Sequence, residues 1–367
     1  MKRKMAGLEA PAAGATTEAS RDDTDALRRL ATRFMDAGRL SDAVVVLQQL
    51  LGQRPTDVRA MVDCGDCYMR LGLLDAAASE LERAVRVSPS SAEAHYSLAR
   101  VYDLQGAFNR ALPLFERAVE LSPEDPEPHY RLGVALALRD EFGEAAACYT
   151  RAIEADYSCA KAHTNLGYAL DRLGRSGEAI LEFKRAIELD PDNAEHHLNL
   201  GAIYGERGML EDAVEEFRRA AAVSPLSAEA HFNLGAALLA GDRTDEALAS
   251  LEVAGGVSPD SAVIHYHLGL VYSRKGRFAN AVAAFQRVVS LEGESPEICY
   301  QLGRALSALD RLEDAERYLR RAVEAAPEDA RAHYQLGIVM DRLGRDLDAA
   351  DSYRRADELK SRSNDPR

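Results

Sequence analysis

Residues 160–193 read AKAHTNLGYALDRLGRSGEAILEFKRAIELDPDN, and the fold follows from their spacing. Ala162, Leu166, Ala169, Leu170 and Leu173 recur at three-and-four spacing until Gly174; Ala179, Ile180, Phe183, Ala186, Ile187 and Leu189 repeat the pattern until Pro191. Apolar residues so spaced line one face of an amphipathic helix. Glycine just past a helix and proline shortly after one are stop signals. Asn193 then caps the next helix. Asp57, Ser91, Asp125, Ser227, Ser261, Ser295 and Asp329 stand at equivalent positions and are all able to cap, with Cys159 the exception. The stretch predicts two helices joined by a tight turn.

The same device recurs every 34 residues without slippage. Ala43, Ala77, Ala111, Ala145, Ala179, Ala213, Ala247, Ala281, Ala315 and Ala349 form one unbroken series. Sixteen residues before each stand Leu27, Met61, His95, His129, His163, His197, His231, His265, Cys299 and His333. A fixed period of this length marks stacked units. Each unit also places a small residue mid-way along its first helix: Gly65, Gly133, Gly167, Gly201, Gly235, Gly269, Gly303 and Gly337, with Ala31 and Ala99 in the other two. Glycine inside a helix costs roughly 1 kcal/mol relative to alanine. Its recurrence predicts that a neighbouring helix occupies the space of the missing side chain.

Composition narrows the class. A chain of 367 residues would ordinarily suggest two or three domains, but a repeat array grows along one axis with no central core. The formal charge of −15 argues against nucleic acid, and no apolar run approaches the roughly 20 residues that span a bilayer, so no membrane insertion is expected. Residues 1–22 lack the apolar stretch of a secretory signal. They read as a disordered amino-terminal tail, residues 362–367 as a carboxy-terminal tail, and the protein as cytoplasmic. Five cysteines make no disulfide framework. Cys64 and Cys67 form a lone C-x-x-C inside a predicted helix, expected to be buried structural thiols.

The unit resembles the tetratricopeptide repeat, whose signature sets an aromatic, Leu-Gly, Tyr, Ala, Phe, Ala and Pro at fixed offsets. His197, Leu200, Gly201, Tyr204, Ala213, Phe217, Ala220 and Pro225 match at every site but the first. The resemblance covers ten units over residues 23–361. It implies an all-α fold, an α-solenoid in which antiparallel helix pairs wind into a right-handed superhelix and first helices line the concave face. Seven units carry His where the family prefers Trp, and Pro gives way to Tyr157, Gly293 and Ser361. Pro113 lies early in a second helix. Gly255-Gly256 late in another predicts a softer junction over 254–262. Asp357 stands where earlier units present an apolar residue to the next, a polar end that an array requires.

No nucleophile elbow, phosphate loop or metalloprotease motif is present, and an active site would be expected to spoil the repeat. The seven histidines cannot share a metal, because packed helices lie about 8–10 Å apart and zinc ligands about 2 Å from their ion. No catalytic, metal or cofactor residue is expected, and the chain reads as not an enzyme. The concave face remains. One row there reads Tyr96, Tyr130, Thr164, Leu198, Phe232, Tyr266, Tyr300 and Tyr334; the next reads Ser97, Arg131, Asn165, Asn199, Asn233, His267, Gln301 and Gln335. Amides both donate and accept, and so pair with any extended backbone. The candidate partner-binding residues are Asn165, Asn199 and Asn233, with Tyr130, Tyr168, Leu198, Phe232, Tyr266, Tyr300 and Tyr334. The Lys–Asn pair of the chaperone-tail-binding subtype is absent. The expected function is a non-catalytic scaffold or adaptor holding a partner protein or extended peptide in its groove. The alternatives are a self-assembling structural protein, hence a homo-oligomer, or a recruiting subunit of a separate enzyme such as a glycosyltransferase.

Overall fold

The computed structural model describes residues 21–363. The tails expected over 1–22 and 362–367 lie outside them, save for helix ends at Arg21 and Ser363. Among the described residues there are twenty helices and no strand. They are α1 (Arg21–Asp36), α2 (Leu40–Gln53), α3 (Val58–Arg70), α4 (Leu74–Val87), α5 (Ala92–Leu104), α6 (Phe108–Leu121), α7 (Pro126–Ala137), α8 (Phe142–Ala155), α9 (Ala160–Arg172) and α10 (Ser176–Leu189). They continue with α11 (Ala194–Glu206), α12 (Leu210–Val223), α13 (Ala228–Ala240), α14 (Thr244–Val257), α15 (Ala262–Arg274), α16 (Phe278–Glu292), α17 (Pro296–Ala308), α18 (Leu312–Ala325), α19 (Ala330–Arg342) and α20 (Asp346–Ser363). The chain is all-α, an α-solenoid of consecutive helix pairs. It divides into two compact units, the first ending at Ala169 and the second beginning at Leu170.

Capping chemistry explains where helices start and stop. The side chains of Asp57, Ser91, Asp125, Asn193, Ser227, Ser295 and Asp329 accept a backbone N–H from their own first turn. Ser261 makes no such bond, although its backbone is extended like the others. First helices end in a recurrent left-handed residue. Arg39 N–H reaches Phe34 O, Leu73 reaches Tyr68, Met209 reaches Tyr204 and Arg345 reaches Met340, at 2.8 to 2.9 Å. This six-to-one bond closes a Schellman motif. The residue it wraps around is Gly at 38, 72, 106, 174, 208, 276 and 344, but Asp140, Asp242 and Asp310 take φ near +60° in the remaining turns. Glycine is therefore not obligatory as the stop, since a short polar side chain tolerates this region.

In unit 1, α1 packs on α2, α3 on α4, α5 on α6 and α7 on α8, and α2, α4 and α6 also touch the first helix that follows each of them. The invariant alanines of these second helices are at most 1% exposed. A Cβ placed on Gly65 would stand 2.5 Å from Leu81 Cγ, and one on Gly133 2.7 Å from the Tyr149 ring. The missing methyl is thus where the partner helix puts a large buried side chain, as the recurrence of glycine predicts. Pro113 lies inside α6 without ending it.

Unit 2 repeats the arrangement through α11 and α12, α13 and α14, α15 and α16, α17 and α18, and α19 and α20. Gly201 faces Phe217, Gly235 faces Leu251, Gly269 faces Phe285, Gly303 faces Leu319 and Gly337 faces Tyr353, each too close for a methyl. Ala281, Phe285, Leu302, Leu306, Leu319 and Val339 belong to one continuous core. Helix α14 runs unbroken through Gly255 and Gly256. Gly293, in place of the proline, takes φ +87° and lets α16 run one residue longer than most second helices.

Candidate functional site: the first-helix face

The histidines are structural fixtures. His129, His163, His197, His231, His265 and His333 each turn Nε2 onto the carbonyl six residues earlier, at 2.8 to 3.3 Å. That carbonyl belongs to the proline position, or to Tyr157, whose ring meets His163 edge-on. One N–H on a flat ring clamps the inter-pair loop, which accounts for His at an aromatic packing site. His95 bonds Ser91 O instead. His197 carries a second bond, Nδ1 to Glu216 Oε2 at 2.7 Å, with both groups buried. No cluster of three or more metal-ligating side chains exists among the described residues. Cys64 and Cys67 are buried free thiols, pushed up to about 12 and about 11 chiefly by burial.

The first-helix face is where polar residues gather. Successive first helices touch one another, α3 with α5, α11 with α13, α13 with α15 and α17 with α19. Their register brings a residue of one row against the residue 35 positions later in the other row. Asn165 Nδ2 donates to Tyr130 Oη at 3.2 Å in unit 1. The His267 ring stands edge-on to Phe232 at 5.0 Å in unit 2 and also meets Tyr266. Leu198 and Asn233 occupy the same register on α11 and α13.

Several row members are committed to holding neighbouring pairs together. Tyr96 donates to Glu127, which also accepts from Arg131. Five periods later, Glu297 accepts from Tyr266 at 3.4 Å, Gln301 at 2.7 Å and Arg331 at 3.0 Å. Burial raises the phenols of Tyr96 and Tyr266, with the facing carboxylate adding to it. Gln301 and Ser97 are buried, and so is Thr164, which bonds its own helix. On α3, burial lifts the carboxyl of Asp63 to about 6 and raises that of Asp66, which faces Ser97.

Of the three candidate asparagines, then, Asn165 is tied to Tyr130, whereas the amides of Asn199 and Asn233 are half-buried with no hydrogen bond among the described residues. Leu198, Phe232 and Tyr266 are half-buried around them. Tyr168 is 47% exposed and rests edge-on against Phe142. Tyr300 lies under the guanidinium groups of Arg304 and Arg331. Tyr334 is 46% exposed, between Lys360 and Tyr353.

Residues 154–366, more than half of the chain, match the family model of the cilia and flagella-associated protein 70 C-terminal domain. Residues 34–103 and 104–167 match the tetratricopeptide repeat model. The chain belongs to the tetratricopeptide-repeat family. No curated protein matches it. A structure solved for functional characterization of Pseudomonas aeruginosa pilF is 18% identical, covering 56% of this chain and 94% of that one with a TM-score of 0.50. YrrB, described as a tetratricopeptide protein with an unusual peptide-binding site, is 23% identical over 50% of this chain and 95% of its own, at 0.46. MamA from Desulfovibrio magneticus RS-1 is 22% identical over 48% and 99%, at 0.43. The likeness to the first of these shows the fold alone.

One feature of this tetratricopeptide array escaped the reading of its rows. Glu127, Glu297 and Arg331 order the tyrosines of the face, yet they lie in the first turn of their helices, outside both rows. Their signal in the sequence was an acid one position into α7 and again into α17, 170 residues later. No helix among the described residues is long and apolar enough to cross a membrane.

Proposed function

We propose that the first-helix face of unit 2 grips an extended segment of a partner protein, the array acting as a non-catalytic scaffold. The observation that carries this reading is the pair Asn199 and Asn233. They stand on touching helices one period apart, and their amides have no internal partner. A half-buried amide left unbonded costs roughly 1–3 kcal/mol if water is excluded from it. A peptide backbone crossing the face would supply both the acceptor and the donor that each amide lacks. Leu198, Phe232 and Tyr266 beside them present apolar area, the latter two as rigid rings that lose little rotamer freedom on binding. Ala202 and Ala236 are too small to block a backbone laid across the helices.

The test begins with peptides selected from a random display library on the full chain. Affinity of the selected peptides is then compared between wild type and the Asn199→Ala, Asn233→Ala double variant. A loss of at least about tenfold, with helical content unchanged, is expected for two backbone contacts. Unaltered affinity would remove the amides from the mechanism.

A further inference from the structure

Further along unit 2, basic side chains gather. A recess of about 570 Å³ runs along α15, α17 and α19, and Arg274, Arg304 and Arg342 line it. Not one Asp or Glu is among its lining residues, although the whole chain carries a formal charge of −15. Two of these arginines have structural work. Arg274 donates to Leu239 O at 3.0 Å, and Arg342 donates to Ser307 O at 2.7 Å, each holding the carbonyl end of a preceding first helix. Their acidic partners, Asp242 and Asp310, are the exposed left-handed turn residues and lie outside the lining.

Arg304 has no such work. Its helix register reads Ala202, Ala236, Leu270, Arg304 and Ile338 along unit 2, so a cation stands in an apolar row. Among the described residues it has no carboxylate within ion-pair distance, and its hydrogen bond is a long one, 3.4 Å, to the neutral Gln301 Oε1. Gln301 itself is held by Glu297, and the Tyr300 ring lies 5.5 Å beneath the guanidinium. Arg100 occupies the same register in unit 1, where its charge acts on the carboxyl of Asp66 on the preceding first helix. Before Arg304 that position is Leu270. A guanidinium fork is shaped to receive a carboxylate on two parallel N–H bonds, and this one is oriented, accessible and unpaired.

We propose that this recess receives an acidic segment of the partner peptide, with a Glu or Asp side chain seated on Arg304 and Arg274 and Arg342 flanking it. The proposal rests on the first-helix face being a peptide groove, and adds the charge of what the groove holds. It needs no Lys–Asn pair and no free chain terminus.

The experiment uses the full chain and three fluorescein-labelled peptides of equal length, alternating Ala with Glu, with Gln or with Lys, read by anisotropy at low and high salt. The Glu peptide should bind at least about tenfold more tightly than the Gln peptide. Its advantage should shrink at high salt, where exposed charges are screened. Arg304→Glu should abolish the advantage, whereas Arg304→Lys should keep part of it. Equal affinity for Glu and Gln peptides, no Glu-peptide binding up to millimolar concentration, or a preference untouched by Arg304→Glu overturns the proposal. The Asn199→Ala, Asn233→Ala variant separates the two readings. It weakens all three peptides alike if the groove is real, and leaves the Arg304-dependent preference standing alone if only the groove reading fails.

Discussion

Two glycines on α11 offer a matched test of why the repeat keeps a small residue mid-helix. Gly201 and Gly205 lie one helical turn apart, and both have helical backbone. A Cβ on Gly205 would meet nothing within 4 Å, whereas a Cβ on Gly201 would lie 2.7 Å from Phe217 Cε1 and 2.8 Å from its Cδ1. Ordinary carbon contacts sit at about 3.5–4.0 Å, so the buried ring must retreat by about 1 Å. Alanine gains about 1 kcal/mol of helix propensity at either site. Overpacking a filled core costs about 1–3 kcal/mol. Gly205→Ala should therefore stabilise by about 1 kcal/mol, and Gly201→Ala should be neutral to about 2 kcal/mol destabilising. Propensity cancels in the difference, which leaves the steric effect of about 1–3 kcal/mol between the variants. Because a long array need not unfold in one step, the assay is native-state hydrogen exchange of α11 and α12 followed by mass spectrometry. If both alanines slow exchange equally, close helix approach is not the reason for the glycine.

The junction after α14 supplies a second glycine pair. Gly256→Ala meets open space and should slow exchange over 254–262, while Gly255→Ala presses on Leu268 at 3.3 Å and should help less. Uniformly high protection of that junction in the unaltered chain would remove the softness expected from its two glycines. Asp63 links stability to pH. Its carboxyl is raised from 3.8 to about 6, chiefly by burial, so the folded state holds a proton that the unfolded chain has released. That contribution is complete below pH 4 and fades as pH rises through 6, by on the order of 1–3 kcal/mol. Asp63→Asn should flatten the urea midpoint of unit 1 between those pH values, and an unchanged slope would refute the assignment. Among the thiols, Cys64, Cys67 and Cys299 are buried and raised to about 11 or 12. They should resist alkylation at pH 8 until denaturant is added; labelling of Cys64 at the rate of a free thiol would contradict its burial.

The period itself was legible because local rules and packing agree. Three-and-four spacing, capping side chains, Gly or Pro stops and an alanine every 34 residues all describe the same helix pair, and that pair needs no distant contact to define it. The packing reason for the mid-helix glycine could likewise be read from its cost. Even so, three turns use Asp140, Asp242 and Asp310 as the left-handed residue. Sequence alone could not distinguish them from ordinary turn acids, because the conformation is imposed by a bond between helix end and loop.

The face was only half legible. Spacing assigned Asn165, Asn199 and Asn233 to one row, and all three looked alike. Tertiary structure separated them, since a tyrosine 35 residues earlier engages Asn165, while the Leu198 at that offset from Asn233 has no polar group to offer. The same logic singled out Arg304. What charge an arginine meets depends on the residue one period earlier on the neighbouring helix, Asp66 before Arg100 and Leu270 before Arg304. A sequence determines which side chains share a helix face, because that is set by 3.6 residues per turn. Which of them remain unpaired is set by helix-to-helix register, and only the folded array supplies that.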